Sequence, residues 1–157
     1  MVPDDREELI RRYAEGPRVL RSALEKVPAG AMEWRPAPGK WSVHEIVVHC
    51  ADSETNAHMR IRYLVAEPDP VIVSYDQDRW AAVFDYHAHP LETALATIEA
   101  VRANTVPLLR RLPTTAWDRT GRHTESGAYS VRTWLRTYAE HLEVHARQIK
   151  RNLAAWK

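Results

Sequence analysis

Eight histidines and one cysteine carry most of the reactive chemistry open to this 157-residue chain. Two of them, His141 and His145, stand four residues apart in a segment whose apolar residues recur at helical spacing: Trp134, Tyr138, Leu142, Ile149, Leu153 and Trp156. With Trp134 at zero and about 100° per residue, His141 falls near about −20° and His145 near about +20°. Both imidazoles lie in the middle of the apolar stripe, one turn apart, close enough to share a metal ion. In the zinc-protease motif a Glu follows the first histidine; Leu142 stands there instead and argues against that mechanism. Two core histidines satisfied by hydrogen bonds would give the same pattern, but each would need a buried partner, and their cationic forms would repel.

A third ligand has to come from another helix. Ile46, Cys50, Ser53, Ala57, Ile61 and Leu64 form a second stripe, and His49 sits at its edge, whereas His44 and His58 point toward solvent. His49 is therefore the best third ligand. Asp52 and Glu45, about one turn to either side, are placed to orient its ring, and Asp52 is also a candidate fourth ligand. Glu140 and Glu143 read as surface charges, His87 and His89 as polar loop residues, and His123 has no assigned role. Cys50 reads as a small buried apolar residue. Three neutral imidazoles around one divalent ion leave a position open for water, a carbonyl or a thiolate. Three nitrogens suit zinc, nickel, iron or copper.

The elements that must position these residues are helical. Only five glycines and one phenylalanine occur, and no long run alternates in the manner of a strand. A first helix covers about residues 4–27, with Leu9, Tyr13, Leu20, Leu24 and Val27 on one face and a kink or break expected at Pro17. Ser42 and Glu45 make a capping box that starts the second helix, which ends before Glu67-Pro68-Asp69-Pro70. Residues 70–89 form a long connection whose Tyr75, Trp80 and Tyr86 are candidates to wall a pocket. A third helix starts near Pro90 and bends at Pro107; residues 113–129 are polar; Ser130 caps the fourth. Four amphipathic helices in one domain, residues 1–157, pack most simply as an all-α four-helix bundle.

Composition removes several functions. Lys and Arg total 22 against 21 Asp and Glu, a net charge of +1, so the basic excess of a nucleic-acid binder is missing. No apolar run approaches the ~20 residues needed to span a bilayer. The acidic start, Met1 to Glu8, lacks a signal-peptide core and points to the cytoplasm. A single cysteine excludes an internal disulfide and any multi-cysteine metal site.

The residues also resemble a family. Trp34 and Pro36, then Gly39-Lys40-Trp41-Ser42, then a helix bearing His49 with Asp52 three residues on, together with the closing His141-x-x-x-His145, resemble the signature of the DinB/YfiT-like superfamily over nearly the whole chain. That resemblance implies an up-down-down-up bundle with the long crossover between helices two and three. It implies a divalent metal (zinc, nickel or iron) held by His49, His141 and His145, homodimers in some members, and activities labelled metal-dependent hydrolase or low-molecular-weight-thiol S-transferase. The expected function is thus a metal-dependent enzyme acting on a small molecule. The alternative is a non-catalytic, metal-stabilised or stress-related interaction module.

Overall fold

Helical periodicity becomes five α-helices in the computed structural model, which describes residues 3–157. Met1 and Val2, the start of the acidic N-terminal stretch, lie outside the described residues. The helices are α1 (Pro3–Leu24), α2 (Val43–Ala66), α3 (Gln77–Val83), α4 (Leu91–Arg111) and α5 (Val131–Ala155). The four long ones form the bundle: α1 packs on α4 and α5, and α2 packs on the same two.

Residue pairs fix the directions. Arg21 pairs with Glu92 at one end and Arg110 with Glu7 at the other, so α1 and α4 run antiparallel. Glu54 meets Arg102 and His58 meets Thr105, so α2 and α4 run parallel. Ala57 accepts from Trp134 while Glu54 meets His141, so α2 and α5 are antiparallel. The order is up-down-down-up, and the two parallel neighbours need a long crossover to join them.

That crossover is more ordered than its sequence suggests. It carries β1 (Val71–Ile72), α3 and a 3-10 turn at Tyr86–Ala88. Residues 113–129, read as a polar linker, instead hold a 3-10 turn and the hairpin of β2 (Thr120–His123) and β3 (Gly127–Ser130). These strands make a small sheet in the order β1-β2-β3, parallel then antiparallel, beside an otherwise helical fold. Strands of two to four residues are too short to show alternation. Gly121 permits the sheet, because a Cβ there would stand 2.6 Å from the Pro70 carbonyl oxygen. No helix among the described residues is long and apolar enough to cross a membrane.

Local signals hold where side chains cap helices. The Ser42–Glu45 capping box is present in both directions, and Ser130 Oγ accepts from the Thr133 amide. The buried face of α1 is carried by Ile10, Tyr13, Leu20 and Ala23 rather than by Leu9 and Leu24, which are half-buried. Pro17 does not break α1, and α4 likewise continues through Pro107.

Pro17 has a different consequence. Having no N–H, it leaves the Tyr13 carbonyl without its helical partner. The guanidinium of Arg102 fills that vacancy, its Nη1 donating to Tyr13 O. The Arg102 side chain is 1% exposed and enters beside Gly16, where a Cβ would overlap Nη1 and also stand 3.1 Å from Leu142 Cδ1. Gly16-Pro17 thus forms a port for a charged side chain in the centre of the bundle.

Helix propensity alone favours Ala over Gly at position 16 by about 1 kcal/mol. We expect Gly16→Ala to do the reverse and destabilise by about 1–3 kcal/mol through overpacking. Urea unfolding measures this; a Gly16→Ala protein as stable as the parent would mean that Arg102 does not occupy the port.

Candidate metal centre

The buried core is divided into two apolar clusters, one around Ile46, Ile98 and Ile149, the other around Ile61, Leu109 and Trp134. Between them lies a polar layer made by Glu54 of α2, Arg102 of α4 and His141 of α5. Glu54 is 0% exposed and receives Arg102 Nε at 2.9 Å and Nη2 at 2.6 Å. Its Oε1 is also 2.8 Å from His141 Nδ1. Burial would raise the Glu54 carboxyl, but the Arg102 charge and the His141 hydrogen bond override it and hold it down to about 2. An ionised Glu54 accepts only, so His141 carries a proton on Nδ1 and turns Nε2 away from the carboxylate.

Two further imidazoles meet this one. The ring of His145 is 4.7 Å from that of His141, and the ring of His49 is 4.9 Å from His145 and 5.7 Å from His141. One nitrogen from each of the three lies within 4.8 Å of the others. His145 Nδ1 is 2.9 Å from Gln148 Oε1, which fixes its proton on that side. His49 is buried against Trp41, ring centres 4.6 Å apart, and its Nδ1 is buried without a hydrogen-bond partner. Burial, with His145 and His141 beside it, drives His49 down to about 2; burial and His141 drive His145 down to about 4. Both are therefore neutral at physiological pH, the form a metal requires. Three imidazoles, two with their outer nitrogens occupied and one with an orphaned buried nitrogen, fit a divalent transition metal.

A cleft of ≈ 260 Å³ leads to His141, bordered by Ser53, Arg60, Tyr75 and Tyr138. Of the three histidines, His141 is the one that lines it.

A family model described as the DinB superfamily matches residues 12–149. The chain belongs to the DinB superfamily. Among curated relatives, it is 34% identical over 142 residues to "Putative metal-dependent hydrolase OB0782" of Oceanobacillus iheyensis, covering 90% of this chain and 82% of that one. It is 27% identical to "Putative metal-dependent hydrolase BH0277" of Halalkalibacterium halodurans, over 74% of this chain and 68% of that protein. In fold it is similar to YfiT from Bacillus subtilis, described as a probable metal-dependent hydrolase with an unusual four-helix bundle topology. The TM-score is 0.91 at 23% identity, over 100% of this chain and 91% of that one. A mycothiol-dependent maleylpyruvate isomerase shares the fold at a TM-score of 0.64 and 12% identity, over 97% of this chain and 60% of that one.

The structure brings His49, His141 and His145 of this DinB-superfamily chain together, but not the carboxylates first expected to support them. Asp52 accepts a hydrogen bond from Tyr86 Oη, and Glu45 is held by Arg35 and the Ser42 amide. Neither hydrogen-bonds His49, and Asp52 is not among the grouped metal-binding side chains. Glu143 is half-buried and holds Arg12 of α1. His87 bonds Ser42 Oγ, His44 the His89 carbonyl and His58 the Thr105 hydroxyl, all outside the cluster. Cys50 is fully buried, which pushes its thiol up and keeps it unreactive. Tyr75 lines the cleft and stacks on Trp80, whereas Tyr86 lines a separate cleft beside Trp41 and Glu45. Glu54 and Arg102 were missed, though the pattern carried a signal: Arg102 lies in the middle of the α4 stripe formed by Ile98, Thr105 and Leu109. A charge there demands an opposite charge on a facing helix.

The titrations predict a pH profile for metal-free protein. Because His49 and His145 titrate below the unfolded value of 6.5, the unfolded chain binds more protons as pH falls. Their neutral folded forms are not penalised above pH 6.5. Below it, each is expected to remove about 1.4 kcal/mol of stability per pH unit until its folded value is reached. Glu54 adds its loss only below its unfolded value of 4.5. Urea unfolding after chelation should therefore weaken between pH 6.5 and 4.5, with a smaller slope in His145→Gln. A flat profile for the parent across that window would contradict the burial of neutral imidazoles.

Proposed function

We propose that this protein is a metal-dependent hydrolase of a small molecule, with one zinc, nickel or iron ion held by His49, His141 and His145. One observation carries the reading. Three imidazoles from α2 and α5 converge, with one nitrogen of each within 4.8 Å of the others, and one of them, His141, lines a solvent cleft. The relatives named metal-dependent hydrolases support it. A divalent ion there would supply a Lewis acid with an open position, able to polarise a carbonyl or acidify a bound group. The chain's own residues do the remaining work. Glu54 keeps the His141 proton on Nδ1 and makes that imidazole more basic; Gln148 fixes His145; Trp41 covers His49 and shields the cluster from water.

A second reading keeps the metal and replaces water by a low-molecular-weight thiol. The fold likeness to a mycothiol-dependent isomerase favours considering it. Added thiol separates the two, since S-transfer requires it and hydrolysis does not.

Elemental analysis of untagged protein purified without chelator tests the site. We expect about one transition-metal ion per chain, and its loss in His49→Ala and in His145→Ala. Metal-free parent protein that takes up no zinc, nickel or iron would leave a non-catalytic interaction module as the better reading. The support beneath His141 is tested by the double variant Glu54→Gln/Arg102→Met, which removes both buried charges together and avoids stranding one. Gln keeps an acceptor for His141 Nδ1 but not the charge, so zinc affinity should fall about 10–100-fold in competition with a chromophoric chelator. Unchanged affinity would show that the carboxylate does not tune the ligand.

A further inference from the structure

The cleft that ends at His141 has a definite electrostatic character. Arg60 of α2 is half-buried at its side. Its Nη2 donates to the Val73 carbonyl at 2.7 Å and its Nη1 to Tyr138 Oη at 3.2 Å. Those contacts orient the fork without neutralising it. No carboxylate among the described residues lies within ion-pair distance of Arg60, in contrast to Arg12, Arg21, Arg35 and Arg102. A positioned guanidinium with unspent donors is a recognition group for a planar anion.

Tyr75, from the crossover, faces the same cleft. Its hydroxyl is buried beside Ser53 and makes no hydrogen bond of good geometry. Burial pushes the phenol up to about 12, so it stays protonated and can donate. A buried hydroxyl so poorly served is expensive unless something else satisfies it. Its ring is held by stacking on Trp80, centres 4.3 Å apart, and by Arg60, which lies 5.9 Å over its face. Ser53 and Tyr138 add further hydroxyls to the wall. The one acid in the lining, Glu125, is exposed. A space of ≈ 260 Å³ is below the usual size of a drug-like site and takes a small molecule only.

We propose that this cleft binds a small organic carboxylate, with Arg60 as counter-ion to its carboxylate and the Tyr75 hydroxyl as donor to another of its oxygens. The assignment names the substrate class for the functional reading above and rests on that reading for the chemistry beside His141. Arg60 and Tyr75 come from different elements, so the crossover between α2 and α4 is what completes the binding site. Neither residue belongs to the histidine cluster, so binding and metal retention are separable.

Benzoate and its neutral isostere benzamide are suitable probes, titrated calorimetrically into protein as isolated and again after chelation. We expect benzoate to bind at least about 10-fold more tightly than benzamide in both forms. Arg60→Gln should abolish that preference, Arg60→Lys should retain part of it, and Tyr75→Phe should weaken both probes. Metal content should not change in any of the three. Lys40→Gln is the control, because Lys40 lines a separate cleft of ≈ 390 Å³ against Trp41. Equal binding of the two probes, a preference that survives Arg60→Gln, a preference lost in Lys40→Gln, or one that vanishes on chelation would each overturn the proposal. A benzoate preference that depends on Arg60 in a protein binding no metal would uphold the carboxylate cleft and overturn only the metal-dependent reading.

Discussion

The guanidinium of Arg102 is the point where all four long helices meet. It projects from α4, donates to the Tyr13 carbonyl of α1 and the Tyr138 carbonyl of α5, and forms a two-pronged pair with Glu54 of α2. Its carbon also lies 4.1 Å over the Tyr13 ring. A buried ion pair adds little net stability against an apolar replacement, because desolvation consumes most of the Coulombic gain. What it imposes is register. Four backbones must stand at fixed heights for one planar group to be satisfied from each side, and slippage of any helix strands a charge in the core. The two apolar clusters above and below supply the burial energy. The polar layer between them selects one arrangement of the helices.

That arrangement is also what makes the histidines useful. Glu54 serves Arg102 with both oxygens and still holds His141. The same carboxylate therefore fixes the height of α2 against α4 and the proton of an imidazole on α5. His49 lies on α2 between Ile46 and Glu54, and His145 lies one turn beyond His141 on α5. With α2 and α5 locked antiparallel at this layer, the three rings face one another across the two helices. The histidine cluster is thus a consequence of bundle register, not a separate local motif.

The parts of this design that were legible in the sequence are those with a strong local cause. A Ser42–Glu45 capping box, a Ser130 cap and apolar residues at helical spacing act within one helix, and apart from the face of α1 they read correctly. The His141–His145 pair was legible because two polar rings in one apolar stripe conflict with burial. The supporting acid was less so: Asp52 and Glu45 were nearer to His49 along the chain, but their acceptors are taken by Tyr86 and by Arg35. The decisive partner, Glu54, acts across to α4 and α5, and periodicity on one helix does not show which helix faces another. Gly16-Pro17 illustrates the same limit. Read locally, the pair weakens a helix; in three dimensions it opens a carbonyl and a gap that Arg102 fills. The three short strands escaped for a simpler reason, since pairing of β1 with β2 joins residues about fifty positions apart.

The three imidazoles are held by unlike means, and this asymmetry bears on how the site would work. His141 donates to an ionised carboxylate, His145 to a neutral amide oxygen, and His49 is bounded mainly by the face of Trp41. A carboxylate partner raises imidazole basicity more than an amide does, so His141 is the strongest donor of the set and its geometry the least free to change. His49 has the opposite character: its buried Nδ1 has no hydrogen-bond partner, and burial disfavours its protonation most strongly. A coordinated ion with a shifted ring, or a water, would satisfy that nitrogen. The rigid side of the site faces the polar layer that holds the bundle together, and the adaptable side faces Trp41 at the end of the proline-rich linker. A metal held here would have His141 already fixed by Glu54, so filling the site would ask nothing of the bundle register.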